Sequence, residues 1–355
     1  NHNMLTKSQH EYYTEKSGYS FREAGSIAGA ASAHWQPSDW DFDHGDGIGT
    51  VSLIDHVDDL VVHADHDVDG RHFINEVNVP VEYEGASRAS YAVQSDLFRE
   101  DAETIESLSG GLSVSNGTEY ARVPLRYNGD NFLQLSGWYV TEGRCVHYKN
   151  SEIVRITQSN DAQRSEITAL LDEMDIAYSV SGEKDINISS GPLKQFFTEY
   201  CGNGSANKEL PELVFDSSQR QKELLFGTMM NGDGTWDSRS GRNSGSYVTL
   251  SDELRDDFLK LVTHLGYNPR YEDHIEGSWR ILLSDQSNVI RGSSASRRQA
   301  ENGVYCVTVE DNHTLLAGRN GKFQFVGQSV YGVIGDSETG GVGSRLYDRR
   351  VAEGV

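Results

Sequence analysis

The chain has 355 residues, enough on length for two or three domains. Only 36% are hydrophobic and the mean hydropathy is -0.56; no run approaches the roughly 18 apolar residues of a membrane-crossing helix, which excludes a transmembrane helix protein. Thirty-one basic against 54 acidic residues leave a net charge of -23, with the acids spread through every region and 9 Lys against 22 Arg. Such charge either repels nucleic acid or marks a protein built for molar salt, where counterions screen a surface within about 3 Å. Diffuse acidity with few lysines favours the second reading, so the charge leaves the partners open and points to a high-salt cytoplasm. The opening NHNMLTK lacks the basic-then-apolar pattern of a secretory signal, and none is expected. Three cysteines, Cys145, Cys201 and Cys306, cannot make a disulfide framework and lack metal-ligand spacing.

In chain order, residues 1–85 read as short strands among turns: Met4–Thr6, Thr50–Ile54, Leu60–Val62 and Phe73–Val81 are the β-prone runs. Histidines 34, 44, 56, 63, 66 and 72 lie among many aspartates without convergent spacing, which reads as a solvated acidic loop. Residues 86–120 look like an insert or linker with one short helix around Asp101–Leu108. The texture then becomes α+β. Helical periodicity covers Phe132–Thr141, Ala162–Met174, Pro192–Tyr200, Gln219–Asn231 and Ser251–Leu265. Strand-like pieces are Ser151–Thr157, Ile176–Val180, Ile186–Ser189, Ser246–Leu250 and Trp279–Leu283. After a polar linker over 286–300, β character returns at Tyr305–Val309, Thr314–Ala317 and Phe323–Val326.

The α+β part holds an internal repeat. NFLQLSGWYVTEGRC (131–145) and KELLFGTMMNGDGTWD (222–237) each run helix, acid-Gly, strands, helix, and Glu142 and Asp233 stand 91 positions apart. A unit duplicated at this period predicts a pseudo-two-fold pair. Small Ser136 and Gly137, one turn before Thr141, would let a partner helix approach closely. Two such helices side by side bring two carboxylates together at their ends, and with water and a phosphate these make a Mg²⁺ site for in-line phosphodiester hydrolysis.

LSGWYVTEG and LFGTMMNGDG resemble the two signature helices of LAGLIDADG (DOD-type) homing endonucleases. CGNGSANKELPELVF (201–215) resembles that family's segment between the repeats, whose lysine assists catalysis. The resemblance implies Glu142 and Asp233 as the metal-binding catalytic acids, Lys208 as that lysine, Mg²⁺ as cofactor and double-stranded DNA as partner. Gly227 lies one place early, so Thr228 takes the packing position that Gly usually holds, and a looser helix pair is expected.

The ends resemble another family. GVYCVTVEDNHTLLAGRNGKFQFVGQS (303–329) is similar to the C-terminal splicing blocks of an intein, and NHNMLTK to the end of the N-terminal block that reads Thr-x-x-His. The chain accordingly resembles a fragment that begins inside an intein, with the missing N-terminal segment and the exteins as partners. In splicing, the resemblance implies that His2 donates to the scissile amide, Ser329 attacks the resulting ester, Gln328 cyclises to release the intein, and His313 assists by proton transfer. Gln328 stands where Asn is usual and Gly327 where His is usual. Cys306 replaces the usual Asp, to activate Ser329, to carry the acyl group briefly, or as a buried structural thiol. SVYGVIGDSETGGVGSRLYDRRVAEGV (329–355) resembles the nucleotide-binding motif of family B DNA polymerases at Ser329, Tyr331 and Gly332.

Together these resemblances imply a multidomain α+β chain of haloarchaeal type. An all-β Hint horseshoe (1–85, first strands missing, and 301–328) is split by a linker (86–120) and a pseudo-dimeric LAGLIDADG endonuclease (121–300), with a polymerase C-extein over 329–355. The implied protein is a monomer without membrane contact. Two alternatives remain: a splicing element whose nuclease has decayed into a spacer, and a DNA-directed DNA polymerase by virtue of its host.

Overall fold

The computed structural model describes residues 3–8, 20–28, 30–35, 44–57, 60–64, 70–84, 90–98, 100–114, 123–148, 151–237, 244–284, 289–294, 314–319 and 322–327. No helix among them is long and apolar enough to cross a membrane.

The repeat predicted at 121–300 is present as two matching α+β units. The first comprises helix α1 (Gly129–Glu142), strands β1 (Gly143–Tyr148) and β2 (Ser151–Thr157), helix α2 (Asp161–Glu173), strands β3 (Ser179–Ser181) and β4 (Asp185–Ser189), and helix α3 (Gly191–Tyr200). A connecting segment leads to α4 (Gln219–Asp233), β5 (Gly234–Trp236), β6 (Gly245–Thr249), α5 (Asp252–His264), β7 (Arg270–Asp273) and β8 (Trp279–Leu283). Each unit carries one four-stranded antiparallel sheet with the same order, β1-β2-β4-β3 and β5-β6-β8-β7.

Local chemistry sets these boundaries. Asn128 starts α1 by accepting hydrogen bonds from the Asp130 and Asn131 amides. Ser218 and Gln221 form a reciprocal capping box on α4. Asn160 and Ser251, 91 positions apart, cap α2 and α5 in the same way. Strands β1, β5 and β7 lie outside the expected β runs; each follows a helix or turn with only three to six residues, too few to show a two-residue period against its neighbours.

The region before the repeat departs from expectation. Strands 60–64, 82–84, 90–94 and 109–114 make one antiparallel sheet in the order 82–84, 90–94, 60–64, 109–114, which joins residues on both sides of the expected boundary at 85. Residues 90–114 are thus strands and helices rather than a linker; the short helix expected near 101–108 is there as Ala102–Leu108. Phe73–Val81, read as a strand, begins instead in the helix Gly70–Glu76. Phe73 and Val77 are buried four positions apart while Ile74 is exposed, so a helical face and not alternation buries the apolar groups. The supposed acidic loop is likewise structured where described. His63 is buried in strand 60–64, and His34 is buried in a strand paired with residues 289–290.

All of this shares one apolar core running from Val51 to Leu283. Strand 50–52 pairs with 126–128, just before α1. The Gln221 amide pairs with both backbone groups of Ile48, accepting from its N–H at 2.8 Å and donating to its C=O at 2.7 Å. At the chain's two ends, strand Asn3–Ser8 pairs antiparallel with Lys322–Gly327, which forms a hairpin with Thr314–Arg319; Asn3 stands opposite Gly327.

Candidate active site

The two signature helices pack side by side and parallel. At their N-terminal ends Arg220 of α4 makes a two-pronged ion pair with Asp130 of α1, at 2.7 and 2.8 Å. In the middle, a Cβ on Gly137 would come within 3.0 Å of Thr228 Cγ2. Nearer the C-terminal ends, a Cβ on Gly232 would stand 2.6 Å from Thr141 Cβ. Each level thus sets Gly on one helix against Thr on the other, with the order reversed between levels. Gly227 faces open space. The looser pair expected from Thr228 is therefore corrected: its methyl fills the hollow left by Gly137, and its hydroxyl is satisfied by Leu224 O at 3.0 Å, as Thr141's is by Gly137 O at 3.0 Å.

This register delivers Glu142 and Asp233, the last residues of the two helices, to one place. Both line a groove of about 900 Å³ together with Lys208. Burial raises the Glu142 carboxyl, only partly offset by a hydrogen bond from Gln158 Nε2 at 3.1 Å. Burial first, and then the charge of Glu142, push Asp233 up to about 7. Asp233 nevertheless remains exposed to the groove, so a solute can reach it. Two helix C-termini add their negative dipole ends to the same spot. The arrangement calls for a cation.

Tyr247 on β6 supplies a further sign. It is fully buried, its hydroxyl has no hydrogen-bond partner among the described residues, and the charges of Asp233 and Glu142 help burial to hold its proton on. Glu142 and Asp233 are the residues that could hold a hydrated divalent cation at such a site. Among the described residues no group of three or more His, Cys, Asp and Glu converges as a metal cage, so this site offers two carboxylates and leaves the remaining positions to water and substrate.

Lys208 lies beneath the helix pair. Its ammonium donates to Tyr139 O at 2.9 Å and sits 3.3 Å over the Tyr139 ring, and burial lowers it to about 8. The loop that carries it is pinned by Asn203, whose side chain accepts from Cys145 N at 2.9 Å and donates to Cys145 O at 3.1 Å. Gly202 turns that loop with φ +67°, where a Cβ would strike Asn207 O. Cys145 and Cys201 are buried free thiols beside it.

Of the expected site residues, Glu142, Asp233 and Lys208 are thus brought to one groove. His2, Cys306, His313, Gln328, Ser329, Tyr331 and Gly332 lie outside the described residues. Gln158 and Tyr247 escaped sequence reasoning. For Gln158 a signal exists, one residue after a strand that follows the first acid; Tyr247 sits in an ordinary β-prone SYVT, and nothing local marks it.

No family model matches the chain. A DNA polymerase of Thermococcus sp. (strain GE8) is 28% identical over 221 residues, 58% of this chain and 12% of the polymerase. A DNA gyrase polypeptide of Mycobacterium gordonae is 28% identical over 111 residues, 31% of this chain and 20% of the gyrase polypeptide. The chain therefore spans only a small part of either relative. Among solved structures, the homing endonuclease I-DmoI in complex with DNA and Ca matches at 17% identity and a TM-score of 0.34, covering 44% of this chain and 83% of that one. The homing endonuclease I-WcaI bound to its DNA recognition sequence matches at 12% and 0.33, covering 44% and 76%. The chain is thus similar in part to homing endonuclease structures and in part to a DNA polymerase.

Proposed function

We propose that the two-repeat body is a site-specific, Mg²⁺-dependent double-strand DNA endonuclease of LAGLIDADG type, carried by an intein inserted in a family B DNA polymerase. The single observation that carries the nuclease reading is the parallel Gly–Thr helix pair, which ends with Glu142 and Asp233 together on an open groove. A divalent ion held there would neutralise phosphate charge and polarise the phosphodiester. The chain's own groups do the rest. Glu142 and Asp233 would hold the ion, Gln158 fixes Glu142, and Lys208, near neutrality at about 8, is poised to pass a proton.

The splicing reading rests on the termini. Asn3 and Gly327, sequence neighbours of His2 and Gln328, stand opposite each other on paired strands, as joining two splice junctions requires. In this reading His2 and His313 move protons, Ser329 is the nucleophile and Gln328 the cyclising amide. Cys306 either assists Ser329 or is structural. Tyr331 and Gly332 belong to the polymerase nucleotide site of the spliced host.

The test is cleavage of a duplex spanning the uninterrupted polymerase junction, in molar KCl with Mg²⁺, by wild type, Glu142→Gln and Asp233→Asn. Cutting by wild type alone supports the nuclease. No cutting by folded wild type leaves a decayed endonuclease serving as a spacer.

A further inference from the structure

We propose that the two walls of the groove hold DNA by different physics: the first repeat by phosphate charge, the second by apolar contact. The proposal rests on the nuclease reading above and says which residues would decide how each half-site is held.

The observation is an asymmetry between the two walls. On the first wall, Arg144 of β1 and Lys184 of the turn before β4 are exposed and line the groove. Neither side chain makes a hydrogen bond or ion pair among the described residues, in a chain with 54 acids to choose from. At the 91-residue offset that relates Glu142 to Asp233, Arg144 is replaced by Thr235; the turn that holds Lys184 is longer in the second repeat, where Asp185 corresponds to Arg280, and Ile275 stands in that longer turn. The second wall contributes Val248, Leu250, His274, Ile275 and Glu276 to the groove, and no Lys or Arg. Ile275 is 70% exposed and Leu250 43%, unusual for large apolar side chains. Ile275 is also held firmly. Its carbonyl accepts from Ser278 Oγ at 2.6 Å and Ser278 N at 3.1 Å, and the turn closes through residues of positive φ at Glu276 and Gly277.

The chemistry differs sharply with salt. A cation on a phosphate gains affinity by releasing counterions, and molar salt removes most of that gain. An isoleucine against base edges or wedged at a base step gains by burial, which salt does not weaken. Ion-driven and salt-tolerant grips would then lie on opposite half-sites of one duplex.

The experiment uses the full chain and a random-sequence duplex library, selected with Ca²⁺ in place of Mg²⁺, followed by affinity measurement on the enriched duplex from low to molar KCl. Arg144→Ala combined with Lys184→Ala should lower the salt slope by about 2 and weaken binding at low salt while leaving the sequence preference of both half-sites unchanged. Ile275→Ser should leave the slope unchanged, weaken binding about tenfold at every salt concentration and relax sequence preference in one half-site only. All three positions are exposed, so an unchanged melting temperature checks the fold of each variant. An unchanged slope in the Arg/Lys variant, or a changed slope in Ile275→Ser, would overturn the division between walls while leaving DNA binding intact. Absence of any enrichment by wild type would instead overturn the DNA-binding reading beneath it.

Discussion

Gly137 and Thr228, 91 residues apart, are each other's counterparts under the pseudo-two-fold and also each other's contact. One turn on, Thr141 and Gly232 repeat the relationship with the roles exchanged. The axis thus passes between a small and a branched side chain at each level, and the two helices fit one another better than either would fit itself.

Exchanging the pair tests that fit. Gly137→Thr alone sets two threonines against each other and should cost about 1–3 kcal/mol by overpacking. Thr228→Gly alone leaves a hollow and a glycine in a helix, for about 1–2 kcal/mol. The double exchange should recover a substantial part of both losses in a denaturation cycle. Additive losses would show that the contact at this level is not complementary.

Asp233 sets a pH dependence whose sign follows from its direction. Its folded value, about 7, lies above the ordinary 3.8, so the folded state holds the proton more tightly and is relatively favoured below the ordinary value. That contribution is lost as pH rises through about 7. In metal-free protein, Asp233→Asn should therefore raise the melting temperature most at pH 8, less at pH 5, and little below the ordinary 3.8. Divalent-metal affinity of wild type should strengthen over the same rise in pH, read by calorimetry, because metal and proton compete for one carboxylate.

Tyr247 offers a second reading of the same site. Its hydroxyl is buried beside two acids without a hydrogen-bond partner, so Tyr247→Phe should stabilise the metal-free protein by about 1 kcal/mol. With Mg²⁺ present the gain should shrink or reverse, since hydration around the ion would give the phenol its partner. Equal melting shifts with and without metal would argue that Tyr247 is only a core residue.

Lys208 predicts a rate profile. Its amine, lowered to about 8 by burial, should give DNA cleavage a rise across that pH. Lys208→Met should reduce cleavage about 10²–10⁴-fold, and Lys208→Arg, which cannot shed its proton, should flatten the rise. Retention of the rise in Lys208→Arg would assign it to another group.

The repeat is legible in the sequence because its signals are local: Gly and acid at helix ends, caps at Asn160 and Ser251, and apolar positions spaced for helices within one window. Glu142 and Asp233 follow from those patterns, and Lys208 from the resemblance of the segment between the repeats. Sheet 60–114 is not legible because its central strand 60–64 finds its partners at 90–94 and 109–114, across intervening helices, and its alternation is interrupted by charged turns. Tyr247 is hidden for a similar reason, since the acids that give it meaning come from distant helix ends. Thr228 is plain in the sequence, but its effect on packing depends on what the opposite helix presents.

The clamp between Gln221 and Ile48, with Val51, Leu53, Ile54 and Val57 in the same core as the nuclease helices, bears on how such a gene could shrink. An excision beginning near residue 121 would take α4 away from Ile48 and expose Val51, Leu53, Ile54 and Val57 in what remains. On the nuclease reading proposed above, a lineage shedding that activity would have an easier route through single substitutions at Glu142 or Asp233 than through removal of the segment. The inert body would then persist as folded ballast.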